Sequence, residues 1–213
     1  MARLSKARGL PAIMALMMLL ALLVPGHAVS ATPKVPPENA FTIRFKTRQF
    51  TPGPGLETAA LQRAAGLSGR VHFLLQLRKL PTAAVRKQLT EQGIELLSYV
   101  GSNTYIASAR SPGIRSLSRM DGVRWAGPLT ADDKLSPDLL AGNIGRWARA
   151  AGGEAVLTIQ MHPDVTIAEA EALVARLGGT LVDSAPSVPS VTAIFPAAQA
   201  RRIAREDAVQ YVD

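Results

Sequence analysis

Residues 71–128 decide the fold, and they read VHFLLQLRKLPTAAVRKQLTEQGIELLSYVGSNTYIASARSPGIRSLSRMDGVRWAGP. Apolar residues alternate at its start, at Val71, Phe73, Leu75 and Leu77, as in a strand with one buried face. Turn and capping residues then divide the rest into a helix, two strands, a second helix and a fourth strand. The predicted helices begin at residues 81 and 111, and the later strands cover residues 94–100, 104–109 and 123–125. The stretch therefore predicts the element order βαββαβ.

The same order recurs 84 to 86 residues further along the chain. A strand is predicted at 156–161, and Thr166 and Glu169 form a capping box for the following helix, which Gly178 ends. The other elements of this second unit are predicted at residues 180–183, 191–195, 197–205 and 209–211. Six elements repeated in register indicate an internal duplication.

We therefore predict an α+β fold with two tandem ferredoxin-like (βαββαβ) units, each with two helices on one face of an antiparallel sheet. The lead-in before the first unit is predicted to be extended, with one strand in 41–50 and a short helix in 56–67. Between the units, Ser136 is predicted to cap a helical turn in the linker, and Ile144 and Trp147 are apolar enough to pack there. The predicted boundaries are 1–31 for a signal peptide, 32–69 for the lead-in, 70–128 for the first unit, 129–151 for the linker and 152–213 for the second unit.

The N-terminus has the three parts of a secretory signal peptide. Three basic residues precede an apolar run at 12–24, which is too short to cross a bilayer comfortably. Small residues favour cleavage after Ala31, with Ala28 as a second choice. An uncleaved membrane anchor is the alternative. No other stretch is long and apolar enough to span a membrane, so we expect a secreted or periplasmic protein without a stable membrane anchor.

Composition excludes several classes of function. Cleavage at Ala31 lowers the net charge from +8 to about +5, and the remaining basic residues are scattered rather than clustered. With few aromatic residues and no basic tract, nucleic-acid binding is not expected. The chain has no cysteine, which excludes disulfides, thiolate metal sites and a cysteine nucleophile.

Residues that could carry chemistry are few. After signal removal only His72 and His162 remain as histidines, and no Gly-x-Ser-x-Gly motif accompanies them. Both are expected to be ordinary surface or strand-edge residues. The acidic pair Asp132 and Asp133 is expected to be a solvated loop pair rather than a ligand cluster. We predict no catalytic residue, no metal and no cofactor.

The two tryptophans allow two interpretations. Trp125 and Trp147 could anchor the core of the first unit and the linker, respectively. Alternatively, one of them could form an exposed contact for a partner.

Five short segments resemble the N-terminal prodomain of secreted bacterial subtilisin-like serine peptidases, of the fervidolysin type. The resemblance covers residues 41–213 and is most specific over 93–137. The matching segments are FLLQL at 73–77, IELLSYV at 94–100, NTYIA at 103–107, GVRWAGP at 122–128 and KLSP at 134–137.

The resemblance implies a propeptide that assists folding of its peptidase and then inhibits it. The open face of the sheet would contact helices of the peptidase. The C-terminal tail would lie in the substrate groove as an added β-strand, with Tyr211 the best pocket filler. The implied tail residues are Ala208, Val209, Gln210, Tyr211, Val212 and Asp213.

The sequence departs from this family because it lacks the peptidase's own Asp, His and Ser motifs. The partner would therefore be a subtilisin-like serine peptidase, either in cis, as the rest of a longer or broken reading frame, or in trans. A third possibility is an extracellular interaction module of two ferredoxin-like units with no peptidase partner.

Overall fold

The computed structural model describes residues 38–213. The predicted signal peptide, its cleavage at Ala31 and the start of the lead-in lie outside the described residues. The described part of the chain has a mixed α+β fold with six α-helices and three β-sheets. Nowhere in residues 38–213 is there a helix with the length and hydrophobicity needed to cross a membrane.

The first predicted unit has the expected order of elements. It comprises β4 (Val71–Leu77), α2 (Ala83–Glu91), β5 (Ile94–Gly101), β6 (Thr104–Ala109), α3 (Ser111–Ser116) and β7 (Val123–Pro128). Across the sheet the order is β7-β4-β6-β5, with antiparallel pairing throughout these four strands. The prediction of βαββαβ is thus confirmed for this part of the chain.

The second unit repeats the same connections. It comprises β8 (Glu154–Met161), α5 (Ile167–Leu177), β9 (Thr180–Ala185), β10 (Ser190–Pro196), α6 (Ala200–Ala204) and β11 (Val209–Val212). The sheet order is β11-β8-β10-β9, all antiparallel. Thr166 caps α5 through the predicted capping box, and Gly178 follows it in the left-handed conformation at φ 79°.

Strand register supports the duplication. His72 pairs with Ser108 in the first unit, and Val156 pairs with Ile194 in the second, at shifts of 84 and 86 residues. The same shifts relate two further cross-strand pairs of the first sheet to pairs of the second. These are Leu74–Ile106 with Thr158–Thr192, and Gln76–Trp125 with Gln160–Tyr211.

The lead-in differs from the prediction of one strand and an extended segment. A turn, closed by the Phe45 N–H donating to the Arg48 oxygen at 2.8 Å, splits the expected strand into a hairpin. The hairpin consists of β1 (Ile43–Arg44) and β2 (Gln49–Phe50). After it, β3 (Gly55–Leu56) pairs in parallel with β7, so the first sheet has five strands and is mixed rather than antiparallel.

The helix of the lead-in also belongs to the first unit. Helix α1 (Thr58–Ser68) buries Leu61 and Ala65 in the same core as α2 and α3. The predicted boundary at residue 70 therefore does not separate the lead-in from the first core.

In the linker, Ser136 caps α4 (Pro137–Leu140) as predicted. The linker packs through Ile144 against the core of the second unit. The prediction that Trp147 packs there is wrong, because its ring lies over Gly145 and the residue is 88% exposed. Trp125, by contrast, is buried in the first unit, as one of the two interpretations expected.

Each sheet has a helix face and an opposite face, and the opposite faces differ. In the first unit the hairpin covers the opposite face, and Ile43 packs there with Leu74, Ile106 and Trp125. Gln76 fixes this arrangement, because its amide nitrogen donates to the Phe41 oxygen at 2.9 Å. In the second unit no hairpin covers the equivalent strands within the described residues.

Candidate functional site

A buried polar cluster joins the two units, and both histidines belong to it. His72 is 4% exposed and His162 is fully buried, so the expectation of surface or strand-edge residues is wrong. Tertiary packing buries them, because the loop after β8 and the loop before β11 pack against the start of β4. Alternation along β4 correctly places His72 opposite the helix face, but it does not show that the second unit covers that position.

His72 is held by two carboxylates of the second unit. Its Nδ1 lies 2.6 Å from an oxygen of Asp207, and its Nε2 lies 2.9 Å from an oxygen of Asp164. Its backbone N–H also donates to Asp207 at 2.9 Å. A carboxylate only accepts hydrogen bonds when ionised, so two such partners require an N–H on both ring nitrogens. His72 is therefore an imidazolium.

The charges in the cluster shift the pKa values of these groups. Burial lowers the pKa of His72, but the hydrogen bonds and charges of Asp164 and Asp207 outweigh it and raise that pKa above its ordinary value. Burial likewise opposes ionisation of Asp164, yet His72, Ser108 and Arg70 together lower its pKa to about 2. The Nη1 atom of Arg70 lies 3.1 Å from Oδ2 of Asp164.

His162 stacks on His72 and stays neutral. The ring centroids are 4.0 Å apart and the planes differ by 10°. Burial, followed by the positive charges of His72 and Lys134, lowers the pKa of His162 to about 2. Neither of its ring nitrogens has a hydrogen-bond partner among the described residues.

Lys134 completes the cluster from the linker side. Its ammonium donates to the Glu206 backbone oxygen at 3.0 Å. Burial lowers the pKa of Lys134 to about 8, although the carboxylates of Asp207, Asp133 and Glu206 oppose this shift. The sequence offered one signal for this residue, namely its place in the KLSP segment.

The cluster is built for cohesion rather than for turnover. A general base needs a free nitrogen within reach of a substrate proton, and both nitrogens of His72 are occupied by carboxylates. His162 has free nitrogens, but they are buried where no substrate could reach them. Nowhere in residues 38–213 do three or more histidine or acidic side chains form a group that could hold a metal ion.

The acidic pair Asp132 and Asp133 is not a solvated loop pair. Asp133 is buried, where it accepts from the backbone N–H and hydroxyl of Thr130, both at 2.8 Å, and from Arg48 of the hairpin at 2.8 Å. Asp132 is half-exposed and pairs with Arg201. The sequence missed this because Arg48 lies 85 residues earlier in the chain.

The second unit presents an uncovered surface beside the linker. We call it the docking patch: Ile144, Trp147, Val156, Thr158 and Ile194. Val156 and Ile194 face each other across β8 and β10 and are half-buried, and Thr158 is exposed. Trp147, Ile144 and Val156 line a groove of about 190 Å³. This is smaller than the roughly 300 Å³ at which ligand pockets begin, so the groove suits a single side chain.

The predicted tail, Ala208–Asp213, forms the last strand of the second sheet. Val209 and Val212 are buried, and the Ser136 N–H donates to the Val212 oxygen at 2.9 Å. Asp213 exchanges two backbone hydrogen bonds with Thr158, at 2.8 and 3.0 Å. Tyr211 accepts a hydrogen bond from Lys46 at 3.1 Å. Entry of these residues into a substrate groove would therefore require β11 to leave its sheet.

Comparison with known proteins gives a family match over the first part of the described chain. Residues 44–130 match the model of a family described as a domain of unknown function, DUF8729. No curated protein and no solved structure matches the chain. The matched residues begin at Arg44 within the hairpin and include β2, α1 and the whole first unit, which agrees with the hairpin being part of that unit's structure.

Proposed function

We propose that this chain is a secreted propeptide-type inhibitor and folding chaperone of a subtilisin-like serine peptidase, and that the docking patch of its second unit contacts the peptidase. Both units are proposed to be ferredoxin-like domains. Support comes from the helix placement and from the sheet orders β7-β4-β6-β5 and β11-β8-β10-β9. Further support comes from the resemblance over residues 93–137.

One observation carries the choice of surface. In the first unit the pair His72–Ser108 holds the second unit, because Asp164 and Asp207 both bond to the His72 ring. The equivalent pair in the second unit is Val156–Ile194. A duplicated unit whose first copy uses this position to hold its neighbour leaves the same position open in its second copy, next to an exposed tryptophan.

The chemistry of the two positions differs, and this difference indicates the kind of partner. His72 receives carboxylates, whereas Val156, Ile194, Ile144 and Trp147 offer apolar surface. Aromatic residues are enriched among the anchors of protein interfaces. The partner is thus expected to insert an apolar side chain at the groove, with Thr158 hydrogen-bonding at its rim.

We propose that the tail enters the substrate groove in a second step, after the docking patch has bound. Asp213 is paired with Thr158, so β11 ends inside the docking patch and would lie beside the bound peptidase. Release of Ala208–Asp213 into the substrate groove would expose Val209 and Val212, so we expect the patch to bind first. Whether the peptidase lies in cis or in trans does not change this contact.

The test is inhibition of a subtilisin-type peptidase by the purified chain, residues 32–213, together with recovery of activity when the denatured peptidase refolds in its presence. Trp147→Ala and Ile194→Glu should each weaken inhibition by about 30-fold or more, the loss typical of an interface anchor. The matched controls are Leu67→Ala and Leu80→Glu, which change exposed apolar residues of the first unit. A folded chain that neither inhibits nor assists refolding would favour the interaction module without a peptidase partner.

A further inference from the structure

At the interface between the units, two carboxylates of the second unit meet at one imidazole of the first. Asp164 comes from the loop between β8 and α5, and Asp207 comes from the loop between α6 and β11. Both bind the same imidazole of the first unit, at 2.9 and 2.6 Å. We propose that the proton on His72 is a latch that couples the two units, and that its loss to solvent uncouples them.

The number of N–H groups on the imidazole decides how many carboxylates it can satisfy. A neutral imidazole has one N–H and one lone pair, so it can satisfy only one carboxylate and turns its lone pair toward the other. Because the side chains of His72 and Asp164 are only 1% and 10% exposed, water cannot easily replace a bond lost between them, whereas the side chain of Asp207 is 30% exposed. A buried charge that loses its partner is strongly destabilising.

The other charged groups around His72 do not replace this proton. Arg70 pairs with Asp164 at 3.1 Å, Ser108 helps to lower the pKa of Asp164, and the backbone N–H of His72 donates to Asp207, so each carboxylate keeps a secondary partner. These groups belong to the first unit and make the contact weaker rather than absent when the ring is neutral. From the second unit, Glu206 is engaged by Arg176 at 2.8 Å. From the linker, Lys134 donates to a backbone oxygen of that same segment.

His162 contacts the His72 ring but carries no charge and makes no hydrogen bond to the carboxylates. It belongs to the second unit and stacks on the imidazolium, and its nitrogens have no bonds to lose on deprotonation. Its burial keeps it neutral through the range in which His72 titrates. The substitution His162→Phe keeps a ring at the contact and leaves His72 as the only titrating group of the stack.

The sign of the pH effect follows from linkage. A group whose folded pKa is raised contributes stability that is complete below its unfolded value and disappears as the pH rises through its folded value. The unfolded value for histidine is 6.5. The latch is therefore closed in mild acid and opens as the pH rises through the folded pKa of His72, which lies above 6.5. This inference does not depend on the proposed peptidase partner.

The experiment is calorimetry of the full chain carrying His162→Phe, from about pH 6 to about pH 9, a range that spans histidine titration, with NMR of the His72 ring in parallel. We expect His72 to titrate above 6.5, and one unfolding transition to become two as the ring loses its proton. His72→Gln and Asp207→Asn should show two transitions already in mild acid. Asp138→Asn, which changes an exposed linker carboxylate, should unfold in the same way as the His162→Phe chain without this change.

Two results would exclude the latch. The latch is excluded if His72 titrates at or below 6.5. The latch is also excluded if the His162→Phe chain unfolds in one transition on both sides of the His72 titration. If His72→Gln does not fold, the pH series on the His162→Phe chain still decides the question, because NMR shows whether the transitions separate with the His72 proton or with that of Lys134, whose pKa is lowered to about 8.

Discussion

The rings of His72 and His162 are stacked 4.0 Å apart, yet one is an imidazolium held by two carboxylates and the other is neutral with no bonded nitrogen. The two histidines of the described chain thus have opposite roles at one contact. His72 supplies charge, and His162 supplies a flat surface against that charge. Their difference leads directly to the behaviour expected of substitutions at position 162.

Replacing His162 tests whether shape or polarity matters there. His162→Phe should leave the free energy of unfolding unchanged or raise it by about 1 kcal/mol, because two buried nitrogens without partners are removed. His162→Ala should lower it by about 3 kcal/mol, because it leaves a cavity between the units. Urea unfolding of the two variants measures both values. Equal destabilisation by Phe and Ala would show that the nitrogens are in fact bonded.

The acid side of the stability profile should also depend on His162. Its pKa is lowered to about 2 in the folded chain, so below the unfolded value of 6.5 the unfolded chain binds a proton that the folded chain does not. Stability should therefore fall as the pH drops from 6.5, and His162→Phe should reduce this loss. Asp164 contributes stability that is present above its unfolded value of 3.8 and lost as the pH falls toward about 2.

These two contributions are separable by unfolding measured against pH. The difference in free energy of unfolding between the unsubstituted chain and His162→Phe should grow steadily below 6.5, while an Asp164→Asn variant should lack the loss of stability that begins as the pH falls below 3.8. A parent and His162→Phe with identical pH slopes would contradict the neutral state of His162.

Adjacent aspartates should differ sharply in their effect. Asp133→Asn should lower the free energy of unfolding by about 2 to 3 kcal/mol, because a buried carboxylate that holds Arg48 and caps the turn after Thr130 is lost. Asp132→Asn should change it by less than about 0.5 kcal/mol, because its pair with Arg201 is solvent-exposed. Chemical denaturation measures both, and equal losses would mean that Asp133 is solvated as the sequence suggested.

Two glycines provide a matched test of the packing around Trp125. A Cβ at Gly127 would lie 2.2 Å from the Trp125 ring and 2.7 Å from Glu57, so Gly127→Ala should cost about 1 to 3 kcal/mol. A Cβ at Gly66 in α1 would meet nothing within 4 Å, so Gly66→Ala should stabilise by about 0.5 to 1 kcal/mol. Thermal unfolding should shift in opposite directions for the two variants.

Local patterns predicted the repeated part of the fold well. Alternation in β4, the capping box of α5 and the Ser136 cap of α4 are short-range signals, and each marks an element that the structure contains. The hairpin was harder, because Ile43 alternates with its neighbours in the same way whether the strand runs straight or turns at Lys46.

The candidate sites were largely beyond sequence reasoning. Asp164 and Asp207 follow His72 by 92 and 135 residues along the chain, and only the docking of the two units brings them to it. Exposure of Trp147 is likewise a tertiary property, because an isolated tryptophan in a linker reads the same whether it packs or not. The register of the duplication is visible in the sequence, and its shift of 84 residues makes Val156 the counterpart of His72.

The most direct test of the proposed function is hydroxyl-radical footprinting of the chain with and without a subtilisin-type peptidase whose catalytic serine has been replaced. We predict that oxidation of Trp147 falls on binding, while oxidation of Tyr99, an exposed residue of the first unit, stays constant. Binding that leaves Trp147 as reactive as in the free chain, or the absence of binding by a folded chain, would contradict the account.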